Sequence, residues 1–341
     1  MKVLILPRKL EKGDTIGIIS PSSGGAAMFP RRLERGVAEL RRLGFNILIG
    51  KHARKRDKYM AGSIEERLED LHDMFLNPEI KAIITTIGGT CSHQLLDGIN
   101  FQLIKRNPKI FMGYSDITAL HLVIYQKTGL VTFLGPTVLP QFGEYGGILD
   151  YTSYYFEEIL LKGNVVEFRS SREWIAEKLN WDQEDNRKRK TIGNVGMKVL
   201  KAGEASGKII AGNLGVLLLL AGTPYFPDLK GAILCVEDDE GETPASIDRY
   251  FTHMRHIGVF DEIKALVIGR FHPNVGLGNE NEILKEIVLR ATRGYSFPII
   301  YDADFGHTDP MFILANGIHA MLEVKENGEI SFRMKEPAVQ Q

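Results

Sequence analysis

The sequence predicts an α/β protein with a doubly wound N-terminal domain and a smaller α/β C-terminal domain. Three observations carry this. Short apolar runs of strand length alternate with segments of helical periodicity, the pattern of a parallel sheet covered on both faces. Polar, glycine-rich turns follow two of these runs, Ser20-Pro21-Ser22-Ser23-Gly24-Gly25 and Gly88-Gly89-Thr90, at the strand ends where open α/β sheets hold ligands. The length, 341 residues, suits about two domains of ~150 residues each.

Thr15–Ile19 reads as a buried strand. Pro30–Leu43 carries Leu33, Val37, Leu40 and Leu43 at helical spacing and stops at Gly44. Phe45–Ile49 is the second strand. Ser63–Phe75 is a helix with Ser63 as N-cap and Glu65 and Glu66 complementing its dipole. Its stripe is Leu68, Leu71 and Phe75. Ala82–Ile87 is a strand, Ser92–Leu96 a helix, Lys109–Gly113 a strand and Asp116–Gln126 a helix. This pattern ends near Gly135-Pro136-Thr137, and we assign residues 1–150 to the first domain.

Residues 151–207 read as a linker. Within it, Ser170–Lys190 is polar, holds both tryptophans (Trp174 and Trp181) and ends in the basic run Arg187–Lys190. A solvated loop is the expectation for such a stretch. Residues 208–335 form the second domain: strand Lys208–Ala211, helix Leu214–Ala221, strand Ala232–Val236, helix Pro244–His256, strand Ala265–Gly269, helix Glu280–Arg290, and closing strands Pro298–Tyr301 and Ala320–Val324.

Composition excludes several classes. Lys and Arg total 42 against 43 Asp and Glu, a net charge of −1. That balance argues against a nucleic-acid polymer as partner. The apolar fraction of 44% and charged fraction of 25% are those of a globular protein, not a disordered or coiled-coil chain. Two cysteines, Cys91 and Cys235, are too few for a disulfide scaffold or a Cys-rich zinc site. Cys235 lies in the apolar run Ala232–Val236 and reads as a buried reduced thiol. The apolar stretch within Met1–Lys9 is too short for a signal peptide, and Val216–Ala221 is far short of the ~20 residues that span a bilayer. The expected location is the cytoplasm, with no membrane partner.

The sharpest local signal is Met112-Gly113-Tyr114-Ser115-Asp116. A strand runs straight into a helix with a serine at the turn, as in a nucleophile elbow. The G-x-S-x-G pattern is not met, and Ser115 or Asp116 as a helix cap is the bland alternative. Gly88-Gly89 permits close backbone approach, and its N–H groups could join that of Asp116 in an oxyanion hole; a tight turn explains it equally. His307 follows Gly306 on a loop, where catalytic groups tend to sit. Glu237 ends the strand Ala232–Val236, facing the crevice of an α/β fold, though Asp238, Asp239 and Glu240 make an acidic loop an alternative. His253 and His256 lack a third ligand at zinc-like spacing, and His121 reads as a packing or surface residue. Gly203–Lys208 fails as a phosphate-binding loop, and no G-x-G-x-x-G follows a strand. No metal or cofactor is expected.

In combination the motifs resemble one family, the serine peptidases that include LD-carboxypeptidases and the microcin C immunity peptidases. They are Ile18-Ile19-Ser20-Pro21-Ser22, Ala61-Gly62 with Arg67 and Asp70-Leu71, Ile87-Gly88-Gly89, Gly113-Tyr114-Ser115-Asp116-Ile117-Thr118, Gly212-Asn213-Leu214, Val236-Glu237-Asp238 and Gly306-His307. The resemblance covers about residues 10–325. It implies a Ser–Glu–His triad of Ser115, Glu237 and His307, with an oxyanion hole from the N–H groups of Gly89 and Asp116. It also implies a flavodoxin-like N-terminal domain bearing the serine, a C-terminal domain bearing acid and base, an active site at their interface, and a homodimer. Ile87 stands where cell-wall LD-carboxypeptidases usually have Arg, and residues Gly88–Leu96 and the Trp-bearing insert are closer to the microcin C immunity branch. There a tryptophan stacks on the nucleobase of a peptidyl- or aminoacyl-nucleotide, and Trp181 holds the similar position; both tryptophans could instead only pack the loop.

The expected function is serine amidase action on the bond joining an aminoacyl or peptidyl group to a modified nucleotide. The alternatives are LD-carboxypeptidase action on muropeptide stems and an inactive small-molecule binder on the same fold.

Overall fold

The computed structural model describes residues 3–341. Met1 and Lys2, the start of the N-terminal stretch considered above, lie outside the described residues. In chain order the strands are β1 (Thr15–Ile19), β2 (Asn46–Ile49), β3 (Ile80–Thr85), β4 (Ile110–Gly113) and β5 (Thr132–Leu134). Then come β6 (Glu173–Trp174), β7 (Ile192–Gly193), β8 (Lys198–Lys201), β9 (Gly203–Asn213) and β10 (Ala232–Glu237). The last are β11 (Ala265–Gly269), β12 (Ile299–Ala303), β13 (Leu314–Asn316), β14 (His319–Val324) and β15 (Ile330–Met334).

The first sheet runs β13-β5-β4-β3-β1-β2. In it β1 to β5 are parallel and ordered 2-1-3-4-5, the flavodoxin-like order. Winding reverses between β1 and β3, so the turns that follow these two strands open a crevice. Strands buried on both faces read as continuous apolar runs, which is why β4, wholly buried, shows no alternation. The second sheet runs β15-β14-β9-β10-β11-β12-β8, while β6 and β7 form a separate ribbon. In it β9 to β12 are parallel and the flanking strands antiparallel.

Local chemistry sets the main helices. Ser63 caps Ile64–Leu76 in a capping box completed by Glu66. Helix Pro30–Arg42 begins with proline at its first position, where the missing N–H costs no bond. Thr243 and Ser246 cap Pro244–His256 reciprocally. Elsewhere the elements differ from expectation. Ser92–Gly98 is a 3₁₀ helix. The segment after Tyr114 opens with a 3₁₀ turn, Ser115–Ile117, before the α-helix Thr118–Thr128. That helix is buried from Thr118 through Tyr125. It is apolar nearly all round because it lies between the two sheets: Gly212 packs on Thr118, and Asn213 N–H donates to Thr118 Oγ1 at 2.8 Å.

The sheets do not follow the expected division of the chain. β13, from the C-terminal half, pairs antiparallel with β5. β5 is fully buried, and an apolar sheet edge needs a cover. β8, inside the expected linker, pairs with β12. Ser170–Lys190 is a largely exposed loop, as expected, but one pinned at two points. Asp185 and Arg189 are among the least exposed side chains of that segment, at 4% and 14%, because each meets buried partners of opposite charge.

Candidate active site

The turn after β4 carries Ser115 in a left-handed backbone conformation, φ +63°. Such a conformation costs a non-glycine residue about 1–2 kcal/mol, and strain of this kind collects at functional turns. It lifts the hydroxyl out of the sheet. Neither the 3₁₀ turn nor the α-helix that follows receives a side-chain cap, so the capping alternative does not hold. Gly88 packs directly on the serine: a Cβ there would sit 2.7 Å from Ser115 Cβ and 2.8 Å from its Oγ. Only glycine leaves that approach open.

Ser115 Oγ lies 3.0 Å from His307 Nε2, and His307 Nδ1 lies 2.6 Å from Glu237 Oε2. Glu237 ends β10 and is fully buried. His307 sits on the excursion between β12 and β13. Gly306 makes that excursion possible, since a Cβ there would stand 2.3 Å from Glu237 Oε2. The Tyr114 ring meets the imidazole edge-on at 5.1 Å between centroids. Burial opposes a charge on His307, but the Glu237 carboxylate outweighs it and raises the imidazole pKa. Glu237 Oε2 therefore accepts from Nδ1–H, which leaves Nε2 as the acceptor facing the serine hydroxyl. Burial, then the neighbouring Glu237, push Asp238 up to about 7. Asp238 accepts from Asn213 Nδ2, Gly215 N–H and Asp239 N–H, which fixes the strand end that carries Glu237.

Asp116 faces away from the serine. Its Oδ2 accepts from Ser22 Oγ at 2.5 Å, Ser92 N–H at 2.8 Å and Cys91 N–H at 3.0 Å. Ser92 Oγ donates in turn to the Asp116 carbonyl at 2.6 Å. These bonds tie the loop after Gly88-Gly89 to the turn that holds Ser115. Among the described residues, no protein acceptor engages the amide N–H of Gly89 or of Asp116.

A cavity of about 700 Å³ opens above Ser115 and His307, lined also by Gly88, Gly89, Phe29 and Trp181. Trp174 is elsewhere. It lines a second cavity, with Arg270 and Asp302. The structure thus brings Ser115, His307, Gly89 and Trp181 around one space, with Glu237 behind His307 and Asp116 next to Ser115 in the chain, and leaves Trp174 out. His253 and His256 lie exposed on their helix. His121 is fully buried within 2.8 Å of the Gly113 carbonyl, and burial lowers its pKa to about 4.

Several residues at the site escape sequence reasoning. Gln141 Nε2 donates to Tyr114 Oη and to Asp309 Oδ1, at 3.3 and 3.1 Å. Arg189 donates to Asp309 at 2.6 Å and lies 2.8 Å from Glu144. These bonds steady the His307 loop. Their partners stand up to 168 positions apart, so no local pattern announces them.

The chain is similar in sequence and fold to known proteins. Residues 16–135 match the LD-carboxypeptidase N-terminal domain, and residues 206–322 match the LD-carboxypeptidase C-terminal domain. YocD of Bacillus subtilis, named as a carboxypeptidase, is 39% identical over 89% of this chain and 91% of its own. The microcin C7 self-immunity protein MccF of Escherichia coli is 34% identical over 96% of this chain and 95% of its own. A solved structure of MccF in complex with glutamyl sulfamoyl guanosine superposes with a TM-score of 0.90 at 32% identity, over 98% of this chain and 99% of that one.

Proposed function

The chain belongs to the LD-carboxypeptidase family and is a serine hydrolase, and from that premise we propose that it is a microcin C immunity-type amidase. It cleaves the amide-like bond between an aminoacyl or peptidyl group and a modified nucleotide. The observation that carries this is the hydrogen-bonded chain Ser115–His307–Glu237 opening into a cavity with an indole in its wall. Ser115 Oγ bonds to the substrate carbonyl carbon as its proton passes to His307 Nε2. Glu237 stabilises the imidazolium that forms. The carbonyl oxygen takes up negative charge and accepts from the Gly89 and Asp116 N–H groups. His307 then gives its proton to the leaving nitrogen and the C–N bond breaks. Water, deprotonated by His307, frees the acyl group and restores Ser115.

Trp181 gives the site its preference, stacking on the base of the nucleotide. MccF has been solved with a glutamyl sulfamoyl guanosine, a ligand of this chemistry. The same reading has the enzyme act in the cytoplasm as a homodimer. No helix among the described residues is long and apolar enough to cross a membrane. The name carried by YocD favours a second reading, removal of the terminal residue from muropeptide stems. Parallel hydrolysis of an aminoacyl-sulfamoyl adenosine and a muramoyl tetrapeptide decides between them. Higher kcat/KM for the nucleotide supports the first reading; turnover of the muropeptide alone supports the second. An acyl-enzyme mass shift on Ser115 with either substrate tests the chemistry common to both.

A further inference from the structure

Trp181 does not stand alone in the cavity wall. The Arg32 guanidinium carbon lies 4.2 Å from the centre of its ring. The Phe29 ring meets it at 5.0 Å and 82°, edge to face. Arg32 comes from the helix Pro30–Arg42 of the nucleophile-bearing half and is only 1% exposed. Its Nε and Nη2 donate to the two carboxylate oxygens of Asp185 at 2.8 and 2.9 Å. Its Nη1 donates to the carbonyls of Leu139 and Pro140 at 3.0 and 3.2 Å, and Nη2 also reaches Glu144 at 3.3 Å. A guanidinium engaged on every edge cannot turn, so its face is fixed for stacking.

Asp185 lies four positions beyond Trp181, in the same run of turns. Besides Arg32 it binds Arg35 twice, through its carboxylate and through its carbonyl, which accepts from Nη1 at 2.9 Å. Burial works against a charge on Asp185, yet the two arginines hold its carboxyl below the ordinary range.

We infer that Arg32 and Asp185 are specificity-positioning residues, which hold Trp181 ready as a rigid platform for the flat ring of the substrate. The inference rests on the reading of Trp181 as the base-stacking residue. A free loop would have to be ordered when the substrate arrives, and that loss of freedom would weaken binding. Here the ordering is done on folding, by residues 32 and 185, before any ligand is present. Arg32 touches neither Ser115 nor His307, so its effect belongs to affinity for the ring and not to bond cleavage.

The test uses a Trp174→Phe background, in which Trp181 is the remaining tryptophan and its fluorescence reports on the platform. Arg32→Lys keeps a charge but loses the planar fork. Asp185→Asn keeps the shape of the anchor. Arg35→Gln is the milder variant of the same anchor, because Arg35 is 30% exposed and holds Asp185 without stacking on Trp181. Adenosine monophosphate is the binding probe; aminoacyl-sulfamoyl adenosine and a muramoyl tetrapeptide are the substrates. In Arg32→Lys and Asp185→Asn we expect the Kd for the probe and the KM for the nucleotide substrate to rise about 3- to 30-fold. The fluorescence anisotropy of Trp181 should fall, while kcat for the nucleotide stays within about twofold. Arg35→Gln should show the same trend at smaller size.

Loss of Trp181 itself separates the two claims. If Trp181→Ala leaves the nucleotide KM unchanged, the base-stacking reading fails. If Trp181→Ala raises it but folded Arg32→Lys and Asp185→Asn do not, the positioning inference alone fails. An equal loss on both substrate classes would also overturn it, since that is the result of a merely structural fastening.

Discussion

The floor and the roof of the cavity are built by different means. The floor is backbone: the turn after β4, the glycine pair after β3, the end of β10 and the Gly306 bend. Its groups are placed by strand ends and by the absence of a Cβ, and side chains such as Asp116 and Asp309 fasten the turns from behind. The roof is side chains: Trp181 under Arg32, and Asp185 between two arginines. A backbone floor holds reacting atoms to a fraction of an ångström. A side-chain roof can be exchanged without disturbing them. Chemistry should therefore be lost through the floor and selectivity through the roof.

The largest effect expected is on the floor. Ser115→Ala should lower kcat by ~10⁴ or more, because nucleophile and base act as one unit, and His307→Ala should be about as severe. Thermal unfolding should barely move, as the serine makes no cap. Normal turnover in Ser115→Ala would remove the floor from the chemistry altogether.

Glu237→Gln should cost ~10³–10⁴ in kcat by upsetting the imidazole tautomer, and it should also move the pH profile. In the wild type His307 must be neutral to act, so kcat/KM should rise with pH around a midpoint above 6.5, the ordinary value from which His307 is raised. Without the carboxylate, burial is opposed only by the lesser pull of Asp239 and Asp238, and the midpoint should fall. Stability follows the opposite course. The raised pKa means that the charged His307–Glu237 pair contributes fully below about pH 6.5 and fades as pH climbs through the raised value. A midpoint that stays put in Glu237→Gln would deny Glu237 its hold on the base.

Asp116→Asn probes how the floor is held together. The amide cannot accept from Ser22, Cys91 and Ser92 as the carboxylate does, so the Gly89 loop should drift from Ser115. Loss of one oxyanion donor typically costs ~10²–10³ in kcat, and we expect a loss near the lower end with KM little changed. A rise in KM alone would mean that the loop binds substrate instead of its transition state.

The roof should give the smallest numbers and the sharpest contrast. Trp181→Ala should cost roughly 1–3 kcal/mol of nucleotide binding, about 5- to 150-fold in KM, with the muropeptide nearly unaffected. Trp181→Phe should recover much of this. Trp174→Ala is the matched control. It also lies under an arginine, with Arg270 at 4.8 Å, but on the other cavity. It should lower stability and leave the ratio of kcat/KM for the two substrates where it was. Movement of that ratio in Trp174→Ala would erase the distinction between the two tryptophans.

The same contrast explains what the sequence disclosed. Strand ends and caps are local, so β1, the helix Pro244–His256 and the Ser63 cap could be placed from spacing alone. Ser115, Glu237 and His307 each stood out by their position at a strand end or on a loop. Joining them into one triad needed the family resemblance, because 192 positions separate the serine from the histidine. The roof was illegible. Asp185 sits in a run of charges that reads as solvated, and its partners lie about 150 positions upstream. Nor could spacing alone separate Trp181 from Trp174. β13 was missed for a related reason: three residues are too few to show a period, and what makes them a strand is the apolar edge of β5.

That late strand has a consequence for synthesis on the ribosome. β5 emerges with its outer edge bare, and the residues that will cover it, 314–316, follow only after most of the remaining chain has been made. At 5–20 residues per second the delay is roughly 10–40 s. Through that interval the nascent first sheet offers an unpaired apolar edge to any neighbour on the same messenger. Until residues 314–316 dock, burial of the β5 edge depends on how quickly the rest of the chain is made.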